Sequence, residues 1–511
     1  MTLRLLAALL VGAVTTAGAQ DRIDLLIRGG SVYDGTGGAP RRADIGIRGD
    51  RIVFVGAAPA GITALRTIDA KGLVVAPGFV DPHTHIDEDL QDPIRRRLPG
   101  FLLQGVTTLV TGNDGGGSPA VGAARAKLAQ GVGANIAFLV GHGAVRGAVL
   151  GMAARAPAPG ELDSMRALVT RAMQEGAFGL STGLYYAPGS YATTDEVIAL
   201  ARVAHAAGGY YDSHIRDESS YTIGLLGAID EAIRIGRESG IPVHISHLKA
   251  LGVDVWGKSD EVVARILAAR AAGQPVTADQ YPYTASGTSV GASLLPRWAE
   301  AGGRDSLKRR FSNPEVRARI VTEMTDNLRR RGGAEALLIT GGRWRGQRLS
   351  QIAVATKAAP IDAAIAIIVS GDVSVASFNM NDGDIDRFMQ QSFVVTGSDG
   401  SAGHPRKYGT FPRKIRRYAL GRGVISLARA IEASSGQTAA IVGLVDRGVL
   451  AADKFADVVM FDSTTIIDKS TYESPTAPAV GMRYVVVNGR LAVDRGRPTG
   501  VLAGRALVRG H

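Results

Sequence analysis

The hydrophobic pattern divides the chain into two β-rich ends and a long middle. Residues 22–72 run in short segments, IDLLIRGGSVYDGTGG and then ADIGIRGDRIVFVG, with the alternation of half-buried strands. The Gly49-Asp50 turn between two such segments marks a hairpin. The far end answers with ADVVMFD and RYVVVNGRLAVDRG, where Asn488-Gly489 is a two-residue turn of the kind that tolerates positive φ. These ends predict one small β-sandwich domain built from both termini, over residues 20–72 and 450–511.

The middle has a different grammar. Apolar, β-branched runs that end in polar or glycine-rich residues recur eight times: VVAPGFVDPHTH, VTTLVTGND, NIAFLVGHG, GAFGLSTGL, GGYYDSHIRDE, PVHISHLKA, PVTADQYPY and SFVVTGSDG. Helix-like sequence separates most of them. Continuous apolar strands alternating with helices are buried on both faces, so the strands are parallel. Eight such units predict an α/β fold, a (β/α)8 TIM-type barrel over residues 73–449, with its chemistry at the C-terminal strand ends. His83 and Asp114 are 31 residues apart, His214 and His247 33, and His247 and Asp279 32. One strand–helix step of that length returns the chain to the same end of the barrel. The long gap from Tyr283 to Ser392 is an insertion at about 285–390, expected to place helices and loops over the barrel mouth.

Composition narrows the setting. Residues 1–19 carry Arg4, an apolar run and the small-residue site Ala17-Gly18-Ala19, the signature of a secretory signal peptide. The mature protein is therefore expected to be exported, periplasmic or secreted, with no membrane span. The chain has no cysteine, which excludes disulfides, thiol nucleophiles and thiolate ligands. A net charge of +11 invites a nucleic-acid reading, but no long basic run appears and acids are interleaved throughout. Solvated surface charge accounts for it, and no nucleic-acid partner is expected. Oligomeric state is not legible.

Only nine histidines occur, and four fall at strand ends. His83 and His85 are two apart, so in a strand they face one way. With His214, His247 and the carboxylates of Asp114 and Asp399, they supply donors for one or two divalent cations of the zinc type. His244 sits lower on the same run, which assigns it to packing.

The same segments resemble the amidohydrolase superfamily and, within it, the D-aminoacylase (N-acyl-D-amino-acid deacylase) group. The resemblance rests on PGFVDPHTH, QGVTTLVTGND, GAFGLSTGLYYAPGSYATTDE, SHIRDE, ISHLKA, DQYPYTAS, GSDG and HPRKYGTFPR, and covers nearly all of the mature chain. It implies that His83 and His85 hold a first, more buried metal and that His214 and His247 hold a second. It also implies that Asp399 contacts metal and takes a proton from the attacking water. Hydantoinase-like members bridge their metals with a carbamylated lysine on strand four, and GAFGLSTGLYY has no lysine. D-aminoacylases place a cysteine on strand two where this chain has Asp114, making Asp114 the candidate bridge and the site harder in character.

The implied reaction is metal-dependent hydrolysis of the amide of an N-acyl-D-amino acid or a related acylated amino acid or dipeptide. Such a substrate presents an α-carboxylate that a guanidinium holds best. Arg406 matches the family position for that role, and Lys249 is a second candidate. Tyr281 or Tyr283 would hydrogen-bond the carboxylate or the oxyanion, and His142 matches a segment near the substrate. Tyr185, Tyr186 and Trp256 are candidate pocket walls, and Arg216 either serves the site or pairs with Asp217 or Glu218. Two rivals stand beside this reading: a cyclic-amide hydrolase of the hydantoinase or dihydroorotase kind, and an exported binding protein that has lost its chemistry.

Overall fold

In the computed structural model, residues 22–510 are described; the expected signal peptide at 1–19 lies outside them. The two ends of the chain meet at Val74–Pro77, a fully buried strand. It pairs in parallel with Arg22–Val32 on one side and antiparallel with Val458–Phe461 on the other. The result is one nine-stranded sheet containing residues from both ends. Ile27, Ile45, Ile47, Val75, Val458 and Val486 form its dry face. Both sequence-predicted hairpins are present, closed by the pairs Arg48–Arg51 and Val487–Arg490. Their turns touch: a Cβ on Gly489, whose φ is +77°, would lie 1.8 Å from the carbonyl oxygen of Gly49. Only glycine fits there.

Between these ends run parallel strands separated by helices, as the apolar runs require. The first arc holds Phe79–Thr84, Val106–Thr111 and Asn135–Phe138. The second holds Val140–Gly141, Gly179–Gly183, Tyr210–His214, Val243–Ile245, Val276–Gln280 and Val394–Thr396. Asn135–Phe138 and Val140–Gly141 flank Leu139, so a single run passes from one arc to the other and the parallel strands number eight. At the opposite seam Thr84 bridges Gly400 in the parallel sense, and the Asp399 N–H donates to the His83 carbonyl at 2.9 Å. Helices Thr194–Ala206 and Gly224–Ser239 show how the sequence sets their limits. The Thr193 hydroxyl caps the first by accepting from the Glu196 N–H, and Gly240 ends the second at φ +79°.

The insertion between the seventh and eighth strands has its own core. Ala285–Ser289, Ser374–Phe378 and Leu337–Ile339 form an antiparallel sheet. Helices including Pro314–Arg330 and Pro360–Ser370 pack on it through Leu294, Ile320, Met324, Ile339, Ile352 and Val375. The expected helices and loops are there, but the sheet is an addition. Its first strand, ASGTS, is too small and polar to show an apolar alternation. No single described helix is long and apolar enough to cross a membrane.

Candidate metal centre

Each expected ligand sits at the same end of the parallel strands. His83 is the penultimate residue of the first strand, fully buried, and His85 follows the strand at the rim. Asp114 is in the loop after the second strand, His214 is the last residue of the fifth, and His247 lies just beyond the sixth. Asp399 follows the eighth. Asp114, His247 and Asp399 adopt φ of +54°, +37° and +49°, a region that costs non-glycine residues roughly 1–3 kcal/mol each. The surrounding structure holds them there. The His247 N–H donates to Asp279 Oδ1 at 3.1 Å, and the Gly115 N–H donates to Ser181 Oγ at 3.2 Å. The glycines of NDGGGS let this loop lie against neighbouring backbone: a Cβ on Gly117 would be 2.1 Å from the Leu139 carbonyl oxygen.

Asp114 joins two groups of donors, one with His83, His85 and Asp399 and one with His214 and His247. Its Oδ1 is 3.4 Å from His83 Nε2 and 3.5 Å from His247 Nε2, while Oδ2 is 3.4 Å from His85 Nε2 and 3.6 Å from His214 Nδ1. Both ring nitrogens of His83, both of His214, and Asp114 Oδ1 are buried without a hydrogen-bond partner. An orphaned buried polar atom costs about 1–3 kcal/mol. A cation at these donors would satisfy one nitrogen of each ring together with the Asp114 oxygen, so the residues fit the group that they would hold. Burial disfavours a charge on Asp114, but the imidazoles of His83 and His214 outweigh it and hold the carboxyl well below its usual range. Burial chiefly keeps His214 below its ordinary value, favouring the neutral ring that a ligand needs. His85 is pulled down by burial, yet its bonds to Asp114 and Asp399 push it up to about 10.

Further carboxylates fix the ligands from behind. Glu218 Oε1 lies 3.1 Å from His247 Nδ1 and 2.5 Å from the Lys249 ammonium, which itself is 2.7 Å from Nδ1. Asp279 accepts from His244 Nε2 at 3.0 Å, confirming His244 as packing, and anchors the His247 backbone through its other oxygen. Asp399 is split between two partners: Oδ1 is 3.1 Å from His85 Nε2, and Oδ2 is 2.7 Å from Arg406 Nη1. Burial opposes its ionisation, but Arg406 and the histidines hold it far below the ordinary carboxylate range. The Arg406 guanidinium is 1% exposed and lies 4.6 Å from the centre of the Tyr281 ring.

These groups open on a cavity of about 500 Å³ lined by His85, Asp114, His214, His247 and Asp399. Lys249, Tyr281, Arg406, Tyr185 and Tyr186 also line it, as the sequence reading expected. Three expectations are corrected. His142 is fully buried away from this wall, with Nε2 2.9 Å from Glu196 Oε1, and belongs to an internal ion cluster with Arg146. Tyr283 is also behind the wall, packed under the Arg413 guanidinium at 4.6 Å. Trp256 is 43% exposed and its Nε1 donates to the Asn379 carbonyl, so it is no pocket wall. Of the four histidines, the His85 side chain is 35% exposed, while His83, His214 and His247 are buried.

Sequence reasoning missed Glu218 and Arg331 as cavity residues. Glu218 looked like an ion-pair partner for Arg216, which instead binds Glu231 at 2.8 Å. Arg331 ends a run of three arginines, and nothing in that run marks one of them as buried.

The amidohydrolase family model matches residues 66–493. A D-aminoacylase of Alcaligenes xylosoxydans xylosoxydans is 37% identical over 518 residues, covering 95% of this chain and 98% of that protein. An N-acyl-D-glutamate deacylase of the same organism is 35% identical and covers 96% and 97%. Among solved structures, a D-aminoacylase with a binuclear metal centre superposes with a TM-score of 0.82 at 33% identity, covering 95% of this chain and all of that one. The N-acyl-D-glutamate deacylase of Bordetella bronchiseptica, complexed with zinc and a phosphonate mimic of the tetrahedral intermediate, gives 0.81 at 31% identity with the same coverage. A family match over residues 66–493, with such relatives matched along almost their whole length, places this chain in the amidohydrolase family, among the D-aminoacylases.

Proposed function

We propose that the protein hydrolyses the amide bond of N-acyl-D-amino acids with one or two divalent cations, zinc foremost, held by His83, His85, Asp114, His214, His247 and Asp399. The observation that carries this is the double membership of Asp114 in two ligand groups at one cavity wall. In the same reading the eight parallel strands are a (β/α)8 barrel with the insertion at its mouth. The terminal sheet is the small β-sandwich domain, and the mature protein acts after export.

A divalent cation at these donors supplies Lewis acidity, polarising the scissile carbonyl and making water acidic enough to attack near neutral pH. The protein's own groups do the rest. Arg406 holds the substrate α-carboxylate, with the Tyr281 ring stacked beneath the guanidinium. Arg406 and the histidines hold Asp399 ionised, so its carboxylate can accept the proton of the attacking water and pass it to the leaving nitrogen. Being a weak base, it can do this only for a strongly acidified water. Glu218 keeps His247 oriented, and Lys249 neutralises Glu218 while lining the cavity. The absence of a lysine on Gly179–Gly183 disfavours a hydantoinase-type centre. The completeness of the donor set disfavours a protein that has lost its chemistry.

The test is acetate release from N-acetyl-D- and N-acetyl-L-amino acids by protein stripped with a chelator and reloaded with zinc. Activity confined to the D series, lost on stripping and regained on reloading, is expected. Equal rates on both enantiomers, or a rate indifferent to metal, would overturn the reading.

A further inference from the structure

Arg331 follows the insertion helix Pro314–Arg330 and is 2% exposed, yet its side chain lines the cavity. Its Nε donates to the Ser293 carbonyl at 3.0 Å and its Nη2 to Tyr185 Oη at 3.1 Å. With the Asn379 amide oxygen turned toward it, Nη1 donates there at 3.3 Å. Every one of these partners is neutral, and the surrounding groups that act on its charge are tyrosines. The other deeply buried guanidiniums among the described residues are treated differently. Arg146 faces Glu196, Arg406 faces Asp399, and Arg447 faces Asp457. A lysine in this position could shed its proton, but an arginine cannot. A permanent charge buried without a counter-ion is costly, and an anion entering the cavity would relieve it.

The position of Arg331 says what kind of anion. Asn379, which holds Nη1, also donates to Ser286 Oγ at 3.2 Å in the same amide orientation. Arg406 Nη2 approaches the carbonyl oxygen of the next residue, Gly287, at 3.5 Å. The two guanidiniums thus connect to neighbouring residues of one strand, Arg331 through Asn379 and Arg406 directly, and line the same cavity. Tyr185, held by Arg331, stacks on the metal-ligand candidate His214 with ring centres 5.7 Å apart. Two cavity acids compete least with an incoming anion. Glu218 is neutralised by Lys249, and Asp372 Oδ1 is committed to the Gly291 and Val373 N–H groups at 3.0 and 2.9 Å.

We propose that Arg331 is a specificity-determining residue that receives a second substrate carboxylate, so that the preferred substrates are dianionic N-acyl-D-amino acids. This rests on the deacylase reading above and refines it. The second carboxylate belongs either to an acidic side chain, as in N-acyl-D-glutamate or N-acyl-D-aspartate, or to a dicarboxylic acyl group. Arg406 takes the α-carboxylate in both cases.

The experiment measures kcat/KM of the zinc-loaded enzyme on N-acetyl-D-glutamate, N-acetyl-D-aspartate and N-succinyl-D-leucine. The comparisons, neutral apart from the α-carboxylate, are N-acetyl-D-glutamine and N-acetyl-D-leucine. A preference of tenfold or more for one of the dianions is expected, and the arm that shows it identifies the source of the carboxylate. Arg331→Met should erase the preference, losing at least tenfold more on the dianion than on the neutral isostere, mainly through KM. Arg331→Lys should keep part of it. A wild type that favours the neutral substrates overturns the proposal while leaving the deacylase reading intact, and needs no variant. Equal losses on all substrates in a folded Arg331→Met also overturn it. Failure on every D substrate removes both readings.

Discussion

In the proposed reaction Asp399 carries the proton chemistry, and its neighbours determine how replacing it should read out. Asp399→Asn preserves the contacts of one oxygen but removes the base, so kcat is expected to fall by roughly 10²–10⁴-fold, the range of general acid–base catalysis. Arg406 touches Asp399 Oδ2 as well as the cavity. Arg406→Ala should therefore raise KM and lower kcat together, and esterifying the substrate carboxylate should abolish only the KM part. Steady-state kinetics on the acid and the ester separate the two; an effect on KM alone would show that Arg406 does not tune Asp399. Lys414 gives a stability prediction instead. It is 2% exposed, with its ammonium 2.7 Å from Thr396 Oγ1, and burial pushes its pKa down to about 7 from an ordinary 10.5. Between those pH values the unfolded chain binds more protons at this residue than the folded one. Its contribution to stability therefore rises with pH across that window and is least favourable below 7. Lys414→Met should be more stable than wild type at pH 7, with the difference shrinking toward pH 10. Denaturant midpoints at several pH values check this, and a pH-independent difference would contradict it.

At the scale of elements, the loop after the second strand positions Asp114, and it depends on glycines that leave no space for a side chain. A Cβ on Gly183 of the fourth strand would lie 2.2 Å from the Asp114 carbonyl oxygen. Gly183→Ala should displace the loop, cost about 1–3 kcal/mol as overpacking does, and lower metal content. Gly147, in helix His142–Leu150, has nothing within 4 Å of an added Cβ, so Gly147→Ala serves as the control and should leave metal content unchanged. Metal analysis of the two purified variants decides it. This is also where the sequence stopped being legible. The residues at i, i+2 and at strand ends could be read because strand periodicity and one-unit spacing fix their direction, which is how His83, His85, His214 and His247 were found. Glu218 and Arg331 reach the cavity through loop and insertion geometry, where no periodicity reports orientation. Ser286 and Gly287 sit in a strand with no apolar alternation, so the sheet that carries them was invisible.

Over the whole molecule, the strand ends, the insertion and the terminal sheet divide the work. The α/β alternation was readable because strands buried on both faces must be continuous apolar runs, and the terminal hairpins were readable from Gly49-Asp50 and Asn488-Gly489. Which turns abut and which polar residues lock the parts together were not. Arg447, Asp457, Asn488 and Asn135 form a buried network joining the terminal sheet to the third parallel strand, and they are separated by up to several hundred residues of sequence. The insertion, with its separate apolar core, supplies Arg331, Ser286 and Thr288 to a cavity whose candidate metal ligands all come from the parallel strands and their loops. Substrate choice and hydrolysis are thus assigned to different parts of the chain, and changes in the insertion should alter selectivity more than metal content.

The claim on which all of this depends is that one carboxylate, Asp114, is shared by two ligand groups. The most direct measurement is the number of zinc ions per chain, by elemental analysis after dialysis, in the wild type, Asp114→Ala and Asp114→Cys. Two ions in the wild type, at most one in Asp114→Ala and partial recovery in Asp114→Cys are the expected values, with activity following the metal. Two ions retained by a folded Asp114→Ala would contradict the shared ligand.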